Sequence, residues 1–134
     1  MAKKEMKINK TVKKATRIVT AGSGRIYVST TFNNTIVTIT NEKGDAIAWS
    51  SAGNVGFKGT RKATPFAATQ AVEETLKKAR ESGVSSLEVY IKGPGVGRDA
   101  ALRAIRSSGI SISMIADITP IPHNGPRQKK RRRV

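Results

Sequence analysis

The sequence contains no cysteine and only one histidine, His123, among its 134 residues. The absence of cysteine excludes disulfides, thiol catalysis and cysteine-based zinc fingers. A single histidine has no second imidazole with which to build a metal site, and no partner spaced for His-based catalysis. We therefore expect this protein to hold no metal and no cofactor.

Acidic residues are also scarce, with nine against 25 lysines and arginines. They fall in turns, on a predicted helix face, or singly at the ends of elements, as do Glu88, Asp99 and Asp117. A two-metal nuclease needs about three or four converging carboxylates, and this spacing supplies none. The abundant serines and threonines likewise lack a histidine or acid spaced to activate them, so we expect no enzymatic activity.

Long apolar runs are missing too, because no stretch approaches the ~18 residues of a spanning helix. The first ten residues, MAKKEMKINK, lack the apolar core of a signal peptide and the pattern of a transit peptide. We expect a cytoplasmic protein.

The positive charge is distributed very unevenly. Residues 1–25 carry a net charge of +7, Lys58–Lys62 carries +3 and residues 118–134 carry +6, which accounts for the total of +16. The remaining residues are balanced. Charge that served solubility alone would not need to be concentrated in this way, whereas a protein that grips a polyanion from several sides would. The acid-free tail repels itself, so we expect it to be disordered until an anion neutralises it, although a purely solubilising tail is the alternative.

Hydrophobic periodicity predicts the order β-β-β-α-β-α-β and the class α/β. The predicted strands cover 26–32, 35–40, 46–50, 87–92 and 110–118, and the predicted helices cover 65–82 and 98–108. The strands form a mixed five-stranded sheet, for which we favour the order 3-2-1-4-5 over the alternative in which strand three meets strand four. The boundaries are a basic N-terminal arm at 1–24, a core domain at 25–118 and a basic tail at 119–134. We expect Trp49 in the core rather than on the surface as a stacking platform.

Two glycine-rich segments each precede a predicted helix. Ala52–Lys62 reads as an irregular loop, and its three cations could contact phosphate or could simply be solvated. Gly93–Arg98 joins a strand to a helix, where small residues let the backbone approach an anion. It matches neither a P-loop nor a dinucleotide fingerprint, so a plain tight turn and a contact to a nucleic-acid phosphate both stay open.

Two further segments are candidates for contact with RNA. Asn33-Asn34 is a turn whose amides also suit base edges and 2′-hydroxyls. His123-Asn124 begins a second turn, where a contact to RNA and no role at all stay open, and the basic run follows it.

Four long stretches together point to one family: TFNNTIVTIT, AWSSAGNVGFKGTRKATPFAA, VYIKGPGVGRDAALRAI and ITPIPHNGPRQKKRRRV. From about Arg25 to Val134 the chain closely resembles the universal eleventh protein of the small ribosomal subunit, in its bacterial form. The resemblance implies a ribonuclease-H-like core without the catalytic acids of that fold. The family commonly has Gly-Cys-Arg-Pro-Pro where this chain has Gly125–Lys129, so the prolines of the tail are moved.

The resemblance also implies a structural role, in which the protein binds and bridges small-subunit ribosomal RNA helices on the platform. It implies a position near the messenger RNA exit channel and the Shine–Dalgarno cleft, with small-subunit proteins seven and eighteen and initiation factor three as neighbours. The candidate RNA-binding residues are Arg25, Asn33, Asn34, Lys58, Gly59, Arg61, Lys62, Gly95, Gly97, Arg98, His123, Asn124, Arg127, Lys129, Lys130, Arg131, Arg132 and Arg133.

Overall fold

The computed structural model describes residues 22–134, and the predicted basic arm lies outside this range as far as residue 21. The elements are β1 (Ser23–Thr30), β2 (Thr35–Asn41), β3 (Ala46–Ser51), α1 (Ala52–Val55), α2 (Pro65–Glu81), β4 (Ser86–Lys92), α3 (Gly97–Ser107) and β5 (Ser111–Asp117). The five strands and the two long helices follow the predicted order. The segment predicted as an irregular loop is instead partly helical, because it contains α1 and a 3-10 turn at Gly59–Ala63.

The sheet has the order β3-β2-β1-β4-β5, which confirms the favoured arrangement. β1 pairs antiparallel with β2 and parallel with β4, β2 pairs antiparallel with β3, and β4 pairs parallel with β5. Because of these directions, β1, β3, β4 and β5 all end at one edge of the sheet, and β2 begins there. We call this the carboxyl edge; it is marked by Thr30, Thr35, Ser51, Lys92 and Asp117.

The hydrophobic core lies between one face of the sheet and the two long helices. Alternate residues of the three central strands point into it, including Ile26, Val28, Val37, Ile39 and Val89, all at most 1% exposed. The helices contribute mostly small side chains and also Ile105. This alternation is what the period of two in the sequence predicted. No helix within residues 22–134 is long and apolar enough to cross a membrane.

The prediction that Trp49 lies in the core is wrong, because its side chain is 56% exposed. In β3 the buried neighbours Ala48 and Ser50 flank Trp49, so the alternation of the strand directs Trp49 to the opposite face. Tyr27 and Tyr90 stack on that same helix-free face, with ring centroids 5.2 Å apart. Aromatic residues of this sheet therefore lie outside the core.

The long helix α2 begins where the sequence predicted. Thr64 accepts a hydrogen bond from the Ala67 amide at 3.3 Å, and Pro65 occupies the first turn, where it needs no amide partner. Just after the C-terminus of α2, Gly83 adopts a φ of 85°, a left-handed conformation that favours glycine. The N-termini of α2 and α3 both follow strands that end at the carboxyl edge.

Candidate nucleic-acid interface

The topology brings four of the predicted RNA-binding segments to the carboxyl edge. Asn33-Asn34 joins β1 to β2, and Lys58–Lys62 follows β3. Gly95–Arg98 follows β4, and the C-terminal tail follows β5. Segments that are up to about a hundred positions apart in the sequence therefore share one end of the sheet.

Arg25 is the candidate residue that the fold does not bring to this edge. It lies five positions before Thr30 on β1, a distance of about 17 Å along the strand. Its Nε donates to Glu88 Oε2 at 3.1 Å, and the Tyr90 hydroxyl donates to the same oxygen at 3.1 Å. The pKa of Arg25 is raised, first by a hydrogen bond with Tyr27, and desolvation raises the pKa of Tyr90. The Arg25 guanidinium therefore serves a cross-strand cluster on the helix-free face.

The segment after β3 presents three cations. Ser51 begins α1 by accepting the Asn54 amide at 3.1 Å, and Gly56 ends this helix in a left-handed conformation with a φ of 116°. Lys58, Gly59 and Arg61 are exposed, whereas Lys62 is half-buried. This basic turn, Lys58–Lys62, therefore offers its charge to solvent immediately before the N-terminus of α2.

Asn33-Asn34 forms a turn that is closed by its own polar groups. The Thr31 amide donates to the Asn34 carbonyl at 2.8 Å, and the Thr35 amide donates to Asn34 Oδ1 at 2.8 Å. Asn33 and the neighbouring Phe32 are exposed, and Phe32 is 75% exposed. The Asn34 side-chain oxygen is thus used by the fold, while Asn33 projects from the carboxyl edge.

The glycines after β4 lie against the backbone of β1. A Cβ atom built on Gly93 would stand 1.9 Å from the Thr30 carbonyl oxygen, and one on Gly95 would stand 2.4 Å from the Thr31 oxygen. The Gly95 amide also donates to Thr30 Oγ1 at 3.2 Å. Gly95 and Gly97 are buried. Close internal packing therefore requires small residues here, whatever binds outside.

Arg98 is held by residues of the protein itself. Its Nη1 donates to the Gly93 carbonyl at 2.8 Å, and its Nη2 donates to Asp117 Oδ2 at 2.8 Å. Thr119 completes the network, since its amide and its hydroxyl donate to Asp117 Oδ1 at 3.0 and 2.6 Å. These bonds from Thr119, and then the Arg98 guanidinium, hold the pKa of Asp117 well below its usual range. The network ties the Gly93–Arg98 turn to the first residues of the tail.

The tail beyond Ile118 contains no helix or strand, and its side chains are exposed. Asn124 adopts a φ of 60°, which an asparagine in a turn tolerates. The ion pairs formed within residues 22–134 are Arg25–Glu88, Glu74–Lys78 and Arg98–Asp117, so they include none of the six tail cations. These cations are Arg127, Lys129, Lys130, Arg131, Arg132 and Arg133. Among the described residues, the +6 charge of the tail is therefore not compensated by any ion pair.

Two aromatic residues at this edge carry no signal in the sequence pattern that would mark them as functional. Phe57 and Phe66 meet edge to face, with ring centroids 5.8 Å apart and an interplanar angle of 83°. Phe66 is 62% exposed beside the basic turn. The one sequence feature that could have indicated a role is their position next to Lys58 and Pro65. An aromatic ring near a basic turn and the start of a helix is a candidate surface for base stacking.

The described residues contain no group of three histidine, cysteine, aspartate or glutamate side chains that could hold a metal ion. The two acids nearest to the ends of the parallel strands, Glu88 and Asp117, are each bonded to an arginine. Their positions at opposite ends of β4 and β5 keep them apart. This geometry suits binding of a polyanion and offers no converging carboxylates for hydrolysis.

Comparison with known proteins gives a consistent result. The family described as Ribosomal protein S11 matches residues 24–133. The chain is 57% identical over 113 residues to the small ribosomal subunit protein uS11 of Borreliella burgdorferi (strain ZS7), covering 84% of this chain and 87% of that protein. The proteins of the same name from Borreliella afzelii (strain PKo) and Borrelia garinii subsp. bavariensis match to the same extent.

Proposed function

Since the chain belongs to the ribosomal protein S11 family, we propose that it binds small-subunit ribosomal RNA through the carboxyl edge of its sheet. It is a structural component of the small ribosomal subunit and not an enzyme. The observation that supports the proposed binding surface is the gathering of the basic turn, the Asn33-Asn34 turn and the tail at one edge of a balanced body.

The electrostatics of this edge favour a polyanion. The basic turn and the tail together carry +9, and their exposed cations form no ion pair within the described residues. Each cation that neutralises a phosphate releases condensed counterions, which stabilises the complex and makes it sensitive to salt. Two RNA helices that approach each other repel through their phosphates, so cations on two separate segments allow the protein to bridge them.

We further propose that the bridged helices belong to the platform, near the messenger RNA exit channel and the Shine–Dalgarno cleft. The neighbours are then small-subunit proteins seven and eighteen, the Shine–Dalgarno region of the messenger RNA and initiation factor three. The long motifs of the family, among them ITPIPHNGPRQKKRRRV, support this placement. Within the carboxyl edge, we assign phosphate contacts to the basic turn and the tail, and contacts to base edges or 2′-hydroxyls to Asn33. We assign to His123 stacking on a base or contact with a phosphate.

A charge-matched pair of triple variants tests the binding surface. The first variant replaces Lys58, Arg61 and Lys62 by alanine. The control variant replaces Lys77, Arg80 and Arg106 by alanine. All three control residues are exposed and lie in the last turns of α2 and α3 or just before them, toward the opposite edge of the sheet. Both variants lose the same charge, so a difference between them reports position.

Binding to small-subunit ribosomal RNA is measured as a function of salt. We expect the first variant to reduce the slope of log affinity against log salt by about two to three, because each lost phosphate contact lowers it by about 0.7 to 0.9. The control should change the slope much less. Equal salt slopes for the two variants would show that the position of the cations does not affect RNA binding, and this result would overturn the proposal.

A further inference from the structure

Phe66 is an exposed aromatic residue with an unusual degree of support. It occupies the second position of α2 and is 62% exposed. The ring of Phe57 meets it nearly at right angles, at a centroid distance of 5.8 Å. Edge-to-face contact fixes the orientation of the Phe66 ring while leaving much of its surface accessible to solvent.

The backbone that carries Phe66 is fixed as well. The Thr64 hydroxyl donates to the Arg61 carbonyl at 2.8 Å and accepts from the Ala67 amide at 3.3 Å. Pro65 restricts the intervening backbone. The Phe57 amide donates to the Ala52 carbonyl at 3.2 Å, which anchors the supporting ring to α1. A ligand on Phe66 would therefore meet a surface that loses little freedom on binding.

A positively charged cleft lies on the Phe57 side of this aromatic pair. Lys58 and Arg61 line it together with Val55, Gly56 and Phe57, the ring that contacts Phe66. No acidic residue occurs in the sequence between Asp45 and Glu73. An exposed ring beside a cleft whose cations form no ion pair within residues 22–134 matches a single-stranded nucleic acid, in which each base has a stacking face and each linkage has a phosphate.

We propose that Phe66 is a stacking platform for one unpaired base of the RNA, with Lys58 and Arg61 contacting the phosphates beside that base. Phe57 is a positioning residue, because it orients the Phe66 ring. This inference rests on the proposed RNA binding at the carboxyl edge and adds to it a preference for an unpaired nucleotide. The charge around the ring favours RNA over an apolar surface of a neighbouring protein, which is the competing occupant.

The test uses the full chain with the substitutions Phe66→Leu and Phe66→Tyr. Leucine keeps an apolar side chain but removes the aromatic face, whereas tyrosine keeps the face. The matched control is Trp49→Leu, which removes an exposed aromatic ring from the helix-free face of the sheet. Because Phe66 and Trp49 are both largely exposed, we expect the three variants to fold, and their thermal unfolding is recorded first.

The first readout is affinity for small-subunit ribosomal RNA over a range of salt concentrations. Phe66→Leu should lower the affinity about 5- to 150-fold without changing the salt slope, because stacking releases no counterions. Phe66→Tyr and Trp49→Leu should bind within about twofold of the unmodified chain, since each keeps an aromatic platform at position 66. The second readout uses an RNA fragment that the protein protects, synthesised with the fluorescent base 2-aminopurine at each unpaired adenine. Stacking should quench the fluorescence at one position when the unmodified chain, Phe66→Tyr or Trp49→Leu binds. Phe66→Leu should cause no such quenching.

Unchanged RNA affinity of Phe66→Leu would overturn the inference, and so would the absence of quenching at every position. Normal RNA affinity combined with loss of a neighbouring protein from assembled subunits would assign Phe66 to a protein contact and would also overturn it. These results would leave the proposed function intact as long as the unmodified chain binds RNA with a steep salt slope. A flat slope for the unmodified chain would instead refute the proposed function.

Discussion

Replacement of Gly97 by alanine should destabilise the free protein, because this glycine packs against β2 and α2. A Cβ atom at position 97 would stand 2.5 Å from Thr35 Oγ1 and 3.0 Å from Ala68 Cβ. Gly97 is buried at the start of α3, and both neighbours are themselves buried. The Ala68 Cβ cannot withdraw without moving α2. The sequence alone left two roles open for the turn that precedes α3, an approach of RNA and a tight internal turn, and this substitution separates them.

The size of the effect follows from the packing. Inserting one methyl group into a well-packed site costs about 1–3 kcal/mol. For a domain of this size each kcal/mol lowers the melting temperature by about 4–8 °C, so the expected shift is about 5–20 °C downward. The matched control is Gly53→Ala, whose Cβ would stand 3.4 Å from the flexible end of Lys62. Alanine there should leave stability unchanged or raise it by up to about 1 kcal/mol.

Thermal and urea unfolding of both variants, without RNA, provide the measurement. The packing argument requires Gly97→Ala to melt well below the unmodified chain and Gly53→Ala to melt at or above it. If Gly97→Ala unfolds like the unmodified chain but binds RNA weakly, the glycine serves the approach of RNA and the packing argument is refuted. Measuring the free protein is essential, because bound RNA would stabilise every variant that still binds.

Three further predictions follow from the contacts at the carboxyl edge. Asp117→Asn should abolish the part of the stability that depends on the ionised carboxylate. Because the pKa of Asp117 is lowered in the folded state, that part is present above pH ~4 and is lost as the pH falls further. In acid unfolding, the unmodified chain should therefore lose more stability than the variant between pH ~4 and ~2. Deletion of Arg127–Val134 should leave the melting temperature unchanged, because these residues are exposed and form no ion pair within the described residues. It should lower the salt slope of RNA binding by about four to five, because six cations are lost at about 0.7 to 0.9 each; an unchanged slope would mean that the tail does not meet phosphate. Thr30→Val should destabilise the protein by about 1–3 kcal/mol, because the buried hydroxyl donates to the Lys92 carbonyl at 3.3 Å and accepts from the Gly95 amide at 3.2 Å; Thr30→Ser, which keeps the hydroxyl, should be the milder variant.

The strand order could be predicted because the signals that set it are local. Alternation in Ile26, Val28 and Thr30 fixed the buried face of β1, and the short turns fixed its antiparallel neighbour. β4 was placed beside β1 because it would then run parallel to it, and the two strands do pair in parallel. Trp49 was predicted wrongly because hydrophobicity gives no information about which face of a sheet the helices cover.

The segment after β3 was misjudged for a different reason. Its glycines suggested an irregular loop, but Gly56 is the residue that ends α1, and Ser51 is the cap that begins it. Helices this short leave no periodicity in a sequence. The role of Arg98 within the fold was equally hidden, since its partner Asp117 is 19 positions away and only the folded sheet brings them together.

The edge of the sheet opposite the proposed RNA surface offers a practical opportunity. There the turn between β2 and β3 is exposed, and Gly44 adopts a φ of 98° in open space, with no heavy atom within 4 Å of where its Cβ would be. A fluorophore or affinity handle inserted beside Gly44 would stand a full strand length away from Thr30 and Thr35. Assembly of a ribosomal subunit could thus be followed in real time through a dye placed away from the carboxyl edge.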